Sequence, residues 1–152
     1  MNSERRRRSA SATVARVLAY AWALPTTLVG AGFVAVATAT GGRAAFVDGV
    51  LEAHGGALDL VLRRLVPLRG GASAMALGHV VVGRNAGCLE RTRAHERAHV
   101  RQAERWGVFF VPAYFVSSVV AAMRGGHYYR DNRFERDAVE RATAAARRAM
   151  NV

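Results

Sequence analysis

The sequence contains a single cysteine, Cys88, and no lysine. One cysteine excludes an internal disulfide and any zinc site built from several cysteines, so we expect Cys88 to pack near a helix start. Acidic residues are also few: the sequence has 11 of them and 22 arginines, which gives a formal net charge of +11. This excess is spread along the sequence without a basic, aromatic-interleaved stripe, and nucleic acid is therefore not expected as a partner.

One long uncharged stretch lies near the N-terminus, residues 17–40, and its 24 residues are enough to cross a hydrocarbon core of about 30 Å. Arg5 to Arg8 and Arg16 precede it, and the positive-inside rule then predicts a cytoplasmic N-terminus. We therefore divide the chain into a basic cytoplasmic N-terminus (1–16), a single transmembrane anchor (17–40) and a small domain (41–152).

Two alternatives to the anchor remain open. Ala37-Thr38-Ala39 offers small residues at a plausible processing site, so the stretch could be a cleavable signal peptide. It could also be a buried helix of a soluble protein. The anchor and the signal peptide both predict a location at or beyond the cell membrane, with membrane lipid as a partner of the basic N-terminus.

The clearest chemical signal is the run His95-Glu96-Arg97-Ala98-His99. On a helix, residues four apart lie on one face about 5 to 6 Å from each other, so both imidazoles can reach one ion. Two imidazole nitrogens suit Zn²⁺ at roughly 2.0 to 2.1 Å. Glu96 then lies beside the metal, where it can act as the catalytic base on a water molecule.

The stretch around this motif, Cys88 to Trp106, has good helix formers and no proline, and Gly107 suits the end of a helix. We therefore expect the motif to lie on a helix. The alternative is an ordinary amphipathic helix whose histidines face solvent or pack in a core.

Catalytic zinc normally needs a third protein ligand, and Glu135 is the best candidate. Asp131 or Asn132 can cap a helix in whose first turn Glu135 would lie. Glu104 is nearer, but five residues past the second histidine correspond to a rotation of about 140°, so its side chain should point elsewhere. Asp131 and His127 remain possible replacements, and an ordinary N-terminal helix carboxylate is the alternative for Glu135.

Four polar or aromatic residues immediately precede the Glu135 helix. Any of them could donate a hydrogen bond to the oxyanion of a tetrahedral intermediate. A polar and aromatic loop at a membrane surface is the alternative interpretation. The four residues are His127, Tyr128, Tyr129 and Arg130.

HERAH followed by a hydrophobic stretch and then FERDA resembles the gluzincin pattern, HExxH and then E-x-x-A, of the prenyl-protein protease and HtpX families and of antibiotic-sensor peptidases. Residues 17–142 are also similar to small bacterial membrane-linked proteins of unassigned function. The resemblance implies zinc ligation by His95, His99 and Glu135. The larger peptidases usually have an aspartate where this chain has Val139, and Asp131 or Asp137 could replace it in orienting a ligand.

Between the anchor and the motif, the sequence indicates a small antiparallel sheet. RAAFV and VLEAH flank the turn signal Asp48-Gly49 and predict a hairpin. ALDLVLRRLVPL predicts a short helix ending near Pro67. Residues 74–82 predict one strand that carries His79 and leads toward the motif helix, and its edge could bind an extended substrate by strand addition.

A second apolar stretch, residues 106–123, has 18 uncharged residues, the lower limit for a membrane span. A simple crossing would put His95 and His99 on one side of the bilayer and Glu135 on the other. The three-ligand hypothesis therefore predicts a buried or interfacial helix here.

Together these features predict an α+β chain: an N-terminal transmembrane helix, a small sheet, a motif helix, an apolar helix and a C-terminal helix with the third ligand. The predicted activity is zinc-dependent hydrolysis of peptide bonds in a peptide or protein substrate. The alternative is a non-catalytic membrane protein that binds zinc structurally or binds a partner. The sequence leaves the substrate, the oligomeric state and the side of the membrane on which the site lies open.

Overall fold

The computed structural model describes residues 17–64, 66, 68 and 70–151. They form the α+β arrangement that the sequence predicts, and residues 17–22 are helical as well. The basic N-terminus (1–16) and Pro67 lie outside the described residues. The elements in chain order are α1 (Leu24–Ala39), β1 (Arg43–Val47), β2 (Val50–His54), α2 (Leu58–Arg64), β3 (Ala74–Leu77), β4 (Val80–Gly83), α3 (Ala86–Trp106), a 3-10 turn (Gly107–Phe109), α4 (Phe110–Met123) and α5 (Arg133–Met150).

The four strands form one sheet in the order β1-β2-β4-β3. The predicted hairpin is confirmed, with Asp48 and Gly49 at φ 47° and 78° in the two-residue turn between β1 and β2. The prediction of a purely antiparallel sheet is wrong, because β2 and β4 pair in parallel. The chain returns from β2 through α2 and β3, and a long connection of this kind can bring the next strand back parallel.

The single strand predicted for residues 74–82 is in fact two antiparallel strands, β3 and β4. Leu77 pairs with Val80, which leaves Gly78 and His79 as a two-residue turn. Gly78 has φ +61°, a left-handed conformation that favours glycine. His79 therefore lies in a turn. The prediction that it lies on a strand is wrong.

Helices cover both faces of the sheet, because successive side chains of a strand point to opposite faces and both sets are apolar here. Val80 and Val82 pack with Leu58 and Leu62 of α2 and with Ala37 of α1. The residue between the two valines, Val81, points to the other face and packs with Leu89 and Val100 of α3. The motif helix thus lies directly on one face of the sheet.

The predicted 24-residue helix of residues 17–40 is broken at Ala23, and Pro25 lies in the first turn of α1. One face of α1 belongs to the core, since Ala37 is fully buried and Phe33 packs beside it. At 16 residues, α1 is shorter than a typical membrane span. The choice between a retained anchor and a cleaved signal peptide stays a prediction.

A buried carboxylate fixes the motif helix to the sheet. Glu52 of β2 is buried and accepts hydrogen bonds from Arg93 and Arg97 of α3, at 3.0 Å and 3.2 Å for their Nη2 atoms. Arg97, which lies inside the motif, also donates to the carbonyl oxygens of Val47 and Asp48 in the hairpin turn. These charge-assisted hydrogen bonds hold the first half of the motif at a fixed position on the sheet.

The helix predicted within residues 106–123 as buried or interfacial is largely exposed. It is therefore not buried in this domain, and the interfacial placement stays a prediction. Of α4, only Phe110 and Ala121 are buried, whereas Phe115 and Met123 are 61% and 82% exposed. The residues that begin α5 contact the middle of α4, since Asn132 donates to the carbonyl oxygen of Tyr114 and to Ser118 Oγ. By length and composition, the continuous helical segment Ala86–Met123 contains a stretch apolar enough to span a membrane.

Candidate metal centre

The helix α3 begins after Asn85, whose side chain caps its first turn. The side chain of Asn85 accepts a hydrogen bond from the backbone N–H of Cys88 at 2.9 Å, which satisfies one of the first free N–H groups of the helix. Cys88 is buried there, as the sequence predicts, and its sulfur accepts a hydrogen bond from Arg91. The helix ends at Trp106, with Gly107 at φ +54° as its cap.

His95, His99 and Glu135 come together between α3 and α5, and ligand atoms of all three lie within 4.8 Å of one another. The Nε2 atoms of the two histidines are 3.1 Å apart. His95 Nε2 lies 3.1 Å from Glu135 Oε2, and His99 Nε2 lies 3.3 Å from Glu135 Oε1. The structure therefore brings together the three residues that the sequence predicts as ligands.

These separations fit one small ion. Two ligand atoms in a tetrahedral zinc site, each roughly 2.0 to 2.1 Å from the metal, lie about 3.3 Å apart. Two imidazole nitrogens and one carboxylate oxygen also form a donor set that suits zinc and leaves a fourth position for water. The group His95, His99 and Glu135 can thus hold a divalent metal without rearrangement of the backbone.

The outer nitrogen of His99 is also held in place. Its Nδ1 lies 2.8 Å from Gln102 Oε1, so Nδ1 acts as a donor and Nε2 is the nitrogen that faces Glu135 and that would bind a metal. The amide of Gln102 donates in turn to Asp137 Oδ2 at 2.8 Å and to the carbonyl oxygen of Phe134 at 3.0 Å. Asp137 therefore orients the ligand histidine through Gln102, which is the role predicted for Asp131 or Asp137.

The third ligand is positioned by the start of α5. Asn132 caps this helix by accepting from the backbone N–H of Phe134 at 2.9 Å, and its amide donates to Ser118 Oγ and to the carbonyl oxygen of Tyr114 on α4. Asn132 is fully buried, so this cap also joins the two helices. Glu135 follows in the first turn and points at the two histidines.

Two phenol groups donate to the Glu135 carboxylate. The Tyr114 hydroxyl lies 2.7 Å from Oε1, and Tyr129 forms a second hydrogen bond. Burial alone would raise the pKa of Glu135, but the hydrogen bonds from His95 and His99 outweigh it and hold that pKa well below its usual range. Burial, followed by the nearby Glu135 charge, raises the pKa of Tyr129, so this phenol stays protonated and remains a donor.

Glu96 lies between the metal ligands and the edge of the sheet. It is buried, and its carboxylate accepts a hydrogen bond from the backbone N–H of Ala76 on β3. Burial raises the pKa of Glu96 above its ordinary value, although the charges of the two histidines oppose this effect.

The other candidates for a third ligand lie elsewhere. Glu104 points away from the metal ligands, as predicted, and its Oε1 lies 3.0 Å from Nε2 of His79. Asp131 accepts from the backbone N–H of His127 at 2.7 Å, and His127 is exposed with its Nδ1 accepting from backbone N–H groups. Among the predicted oxyanion donors in residues 127–130, Tyr129 is the one that contacts Glu135.

Sequence reasoning missed Tyr114 and Gln102. Gln102 follows His99 by three residues and so lies on the same helix face, a spacing that could have indicated the contact. Tyr114 is the one hydroxyl-bearing aromatic residue in an otherwise apolar stretch, but nothing in the sequence indicates its partner. The contact of Tyr114 with Glu135 arises from the packing of α4 against α5, and the contacts of Gln102 with Phe134 and Asp137 arise from the packing of α3 against α5.

Replacing Tyr114 by phenylalanine is expected to weaken zinc binding. The substitution keeps the ring, which packs with Phe110 and Phe134, and removes only the hydroxyl that orients Glu135. Loss of such an orienting hydrogen bond typically lowers metal affinity about 10- to 100-fold. Competition with a chromophoric chelator measures the change, and an unaltered zinc affinity would contradict a role for this hydroxyl.

No protein-family model, curated protein or solved structure matches this chain.

Proposed function

We propose that this chain is a membrane-anchored, zinc-dependent peptidase of the gluzincin type. The observation that carries the proposal is the group of three ligand atoms at distances that suit one tetrahedral ion, with the buried Glu96 carboxylate next to it. A structural zinc site usually closes with four protein ligands, whereas three ligands and a neighbouring base are typical of a hydrolytic site.

The proposed chemistry assigns a role to each of these groups. His95, His99 and Glu135 hold Zn²⁺, which when bound polarises a peptide carbonyl and lowers the pKa of water toward about 7. Glu96 takes a proton from the attacking water and passes it to the leaving amine. Tyr129 donates its one hydroxyl proton to Glu135 in this structure, and we assign to it a turn of that hydroxyl, on substrate binding, toward the oxygen on which negative charge develops.

The strand β3 supplies a surface for an extended peptide. It forms one edge of the sheet and packs along the motif helix, and its Ala76 N–H already contacts Glu96. An edge strand offers unpaired backbone groups with which an added strand can form hydrogen bonds. We assign the substrate to this edge, so that the scissile bond would lie beside Glu96.

The membrane part of the proposal is supported by two apolar helices. Residues 17–40 stay the proposed anchor with a cytoplasmic N-terminus. Because α1 within them packs on the sheet through Ala37, we assign it to the membrane surface, where it exposes Leu28 and Val29. The exposed face of α4 carries Phe115, Val116 and Val119. Large exposed apolar patches of this kind mark interaction surfaces, and a bilayer would cover both.

Zinc removal and restoration test the proposal. We expect the detergent-purified full chain to cleave a fluorescently labelled unfolded protein when zinc is bound, to lose this activity after chelation and to regain it when zinc is restored. Zinc that binds without any hydrolysis across a panel of unfolded proteins and peptides would instead favour the non-catalytic, zinc-binding alternative.

A further inference from the structure

A groove of about 830 Å³ opens between α4 and α5, away from the metal ligands. Its apolar wall includes Trp106 at the end of α3, Val116 and Val120 of α4, and Phe134 of α5. Val116 and Val120 are also 62% and 37% exposed, so the wall continues onto the exposed face of α4. The groove is therefore open toward the surface that we expect a bilayer to cover.

Arginine and acidic side chains both line this groove, and arginines outnumber the carboxylates when the neighbouring groove is included. A second, smaller groove of about 350 Å³ adjoins it and shares Trp106, Arg133 and Phe134 with it. Folding thus gathers arginines that are scattered in the sequence, so the even spread of charge along the chain does not persist in the structure. The six arginines that line the two grooves are Arg101, Arg105, Arg124, Arg133, Arg136 and Arg141.

Three carboxylates line the two grooves against the six arginines, those of Asp131, Asp137 and Glu140. Asp131 accepts from the backbone N–H of His127, and Asp137 accepts from Gln102 and Arg141. Within the part of the chain that the structure describes, neither Arg124 nor Arg136 forms an ion pair. The rim therefore keeps unpaired positive charge next to an apolar wall.

We propose that this groove binds one anionic phospholipid, with its phosphate at Arg124 and Arg136 and an acyl chain along Val116 and Val120. Guanidinium groups bind phosphate oxygens strongly, and an apolar wall suits an acyl chain but not a nucleic acid or a free phosphate. The inference rests on the proposed membrane association and is independent of the peptidase chemistry.

Tryptophan fluorescence tests this site, because Trp106 lines it and Trp22 is the other tryptophan of the chain. In the full-length Trp22→Phe protein in uncharged detergent, brominated phosphatidylglycerol should quench Trp106 at a lower mole fraction than brominated phosphatidylcholine. An additional Arg124→Gln/Arg136→Gln change should weaken the phosphatidylglycerol effect by roughly 25-fold, about fivefold for each arginine.

The matched control is Arg147→Gln/Arg148→Gln, which removes the same charge from the exposed last turn of α5. We expect it to leave quenching within about twofold, since attraction near a surface falls off within a Debye length. Equal quenching by both lipids, or an equal effect of both double variants, would overturn the proposal.

Competition identifies the ligand. Unlabelled phosphatidylglycerol should relieve the quenching, whereas inorganic phosphate and a short DNA duplex should not. Displacement by phosphate would show that the groove is a site for small anions. Stronger displacement by DNA would show that it binds nucleic acid. Either result would overturn the lipid proposal. Zinc content, measured on the same samples, separates failure of the groove from failure of the metal centre.

Discussion

Replacing Glu96 by glutamine is expected to abolish hydrolysis while zinc remains bound. The amide has nearly the same shape as the carboxylate, so the packing of this buried side chain against β3 should survive. It cannot accept a proton from water, however, and general-base catalysis typically contributes about 10²- to 10⁴-fold to a rate. We therefore expect a loss of activity in this range, with the zinc content unchanged.

The measurement combines initial cleavage rates with the zinc content of each preparation. Glu90→Gln is the matched control, because Glu90 lies on the same helix and is exposed. It should cleave at the wild-type rate. A Glu96→Gln protein that retains full activity would show that another group acts as base, and one that loses its zinc as well would point to a structural role for the carboxylate.

Local signals in the sequence predicted much of this fold. Asp48-Gly49 gave the hairpin because a two-residue turn of this kind requires positive φ at both positions. Asn132 was one of two predicted caps, and it places Glu135 in the first turn of α5. Each of these features depends on a few neighbouring residues, so short-range physical chemistry is enough to predict them.

Features that depend on distant contacts could not be predicted in the same way. The parallel pairing of β2 with β4 is decided by how the intervening segment folds back. Residues 74–82 were predicted as one strand because Gly78 is the one turn-forming signal within an otherwise apolar stretch, and the structure has a hairpin turn there. Of the two predicted placements of the helix within residues 106–123, burial in the domain is wrong, because the apolar character of a helix does not determine what covers it. In this chain α4 remains largely exposed.

The candidate site depends both on local sequence signals and on contacts between residues distant in the sequence. The spacing of His95 and His99 places their rings together on any helix, whereas the reach of Glu135 depends on how α5 packs against α3 and α4. Gln102 and Asp137 complete the support of His99 across that packing. Asp137 lies two residues before Val139, the position at which the peptidases that the sequence resembles usually have an aspartate.

Replacing His99 by alanine is expected to remove zinc almost completely. His99 supplies one of three ligand nitrogens or oxygens, and its ring is fixed by Gln102 so that Nε2 faces the other two ligands. With one imidazole gone, two protein ligands remain, which is below the number that catalytic zinc normally keeps. His127→Ala is the matched control, because His127 is exposed and lies outside the ligand group.

Glu135→Gln provides a second test that creates no cavity in the core. The amide retains the volume of the side chain but removes its charge, and it binds zinc much more weakly than a carboxylate does. Glu140→Gln, on the exposed part of the same helix, is its control. Circular dichroism of each variant establishes that the helices persist.

The zinc content per chain of these proteins, measured by mass spectrometry after dialysis against a weak chelator, tests the metal centre most directly. We expect about one zinc per chain in the wild type, in His127→Ala and in Glu140→Gln, and less than about a tenth of that in His99→Ala and in Glu135→Gln. Equal zinc content in the wild type and in folded His99→Ala would contradict a metal centre formed by His95, His99 and Glu135.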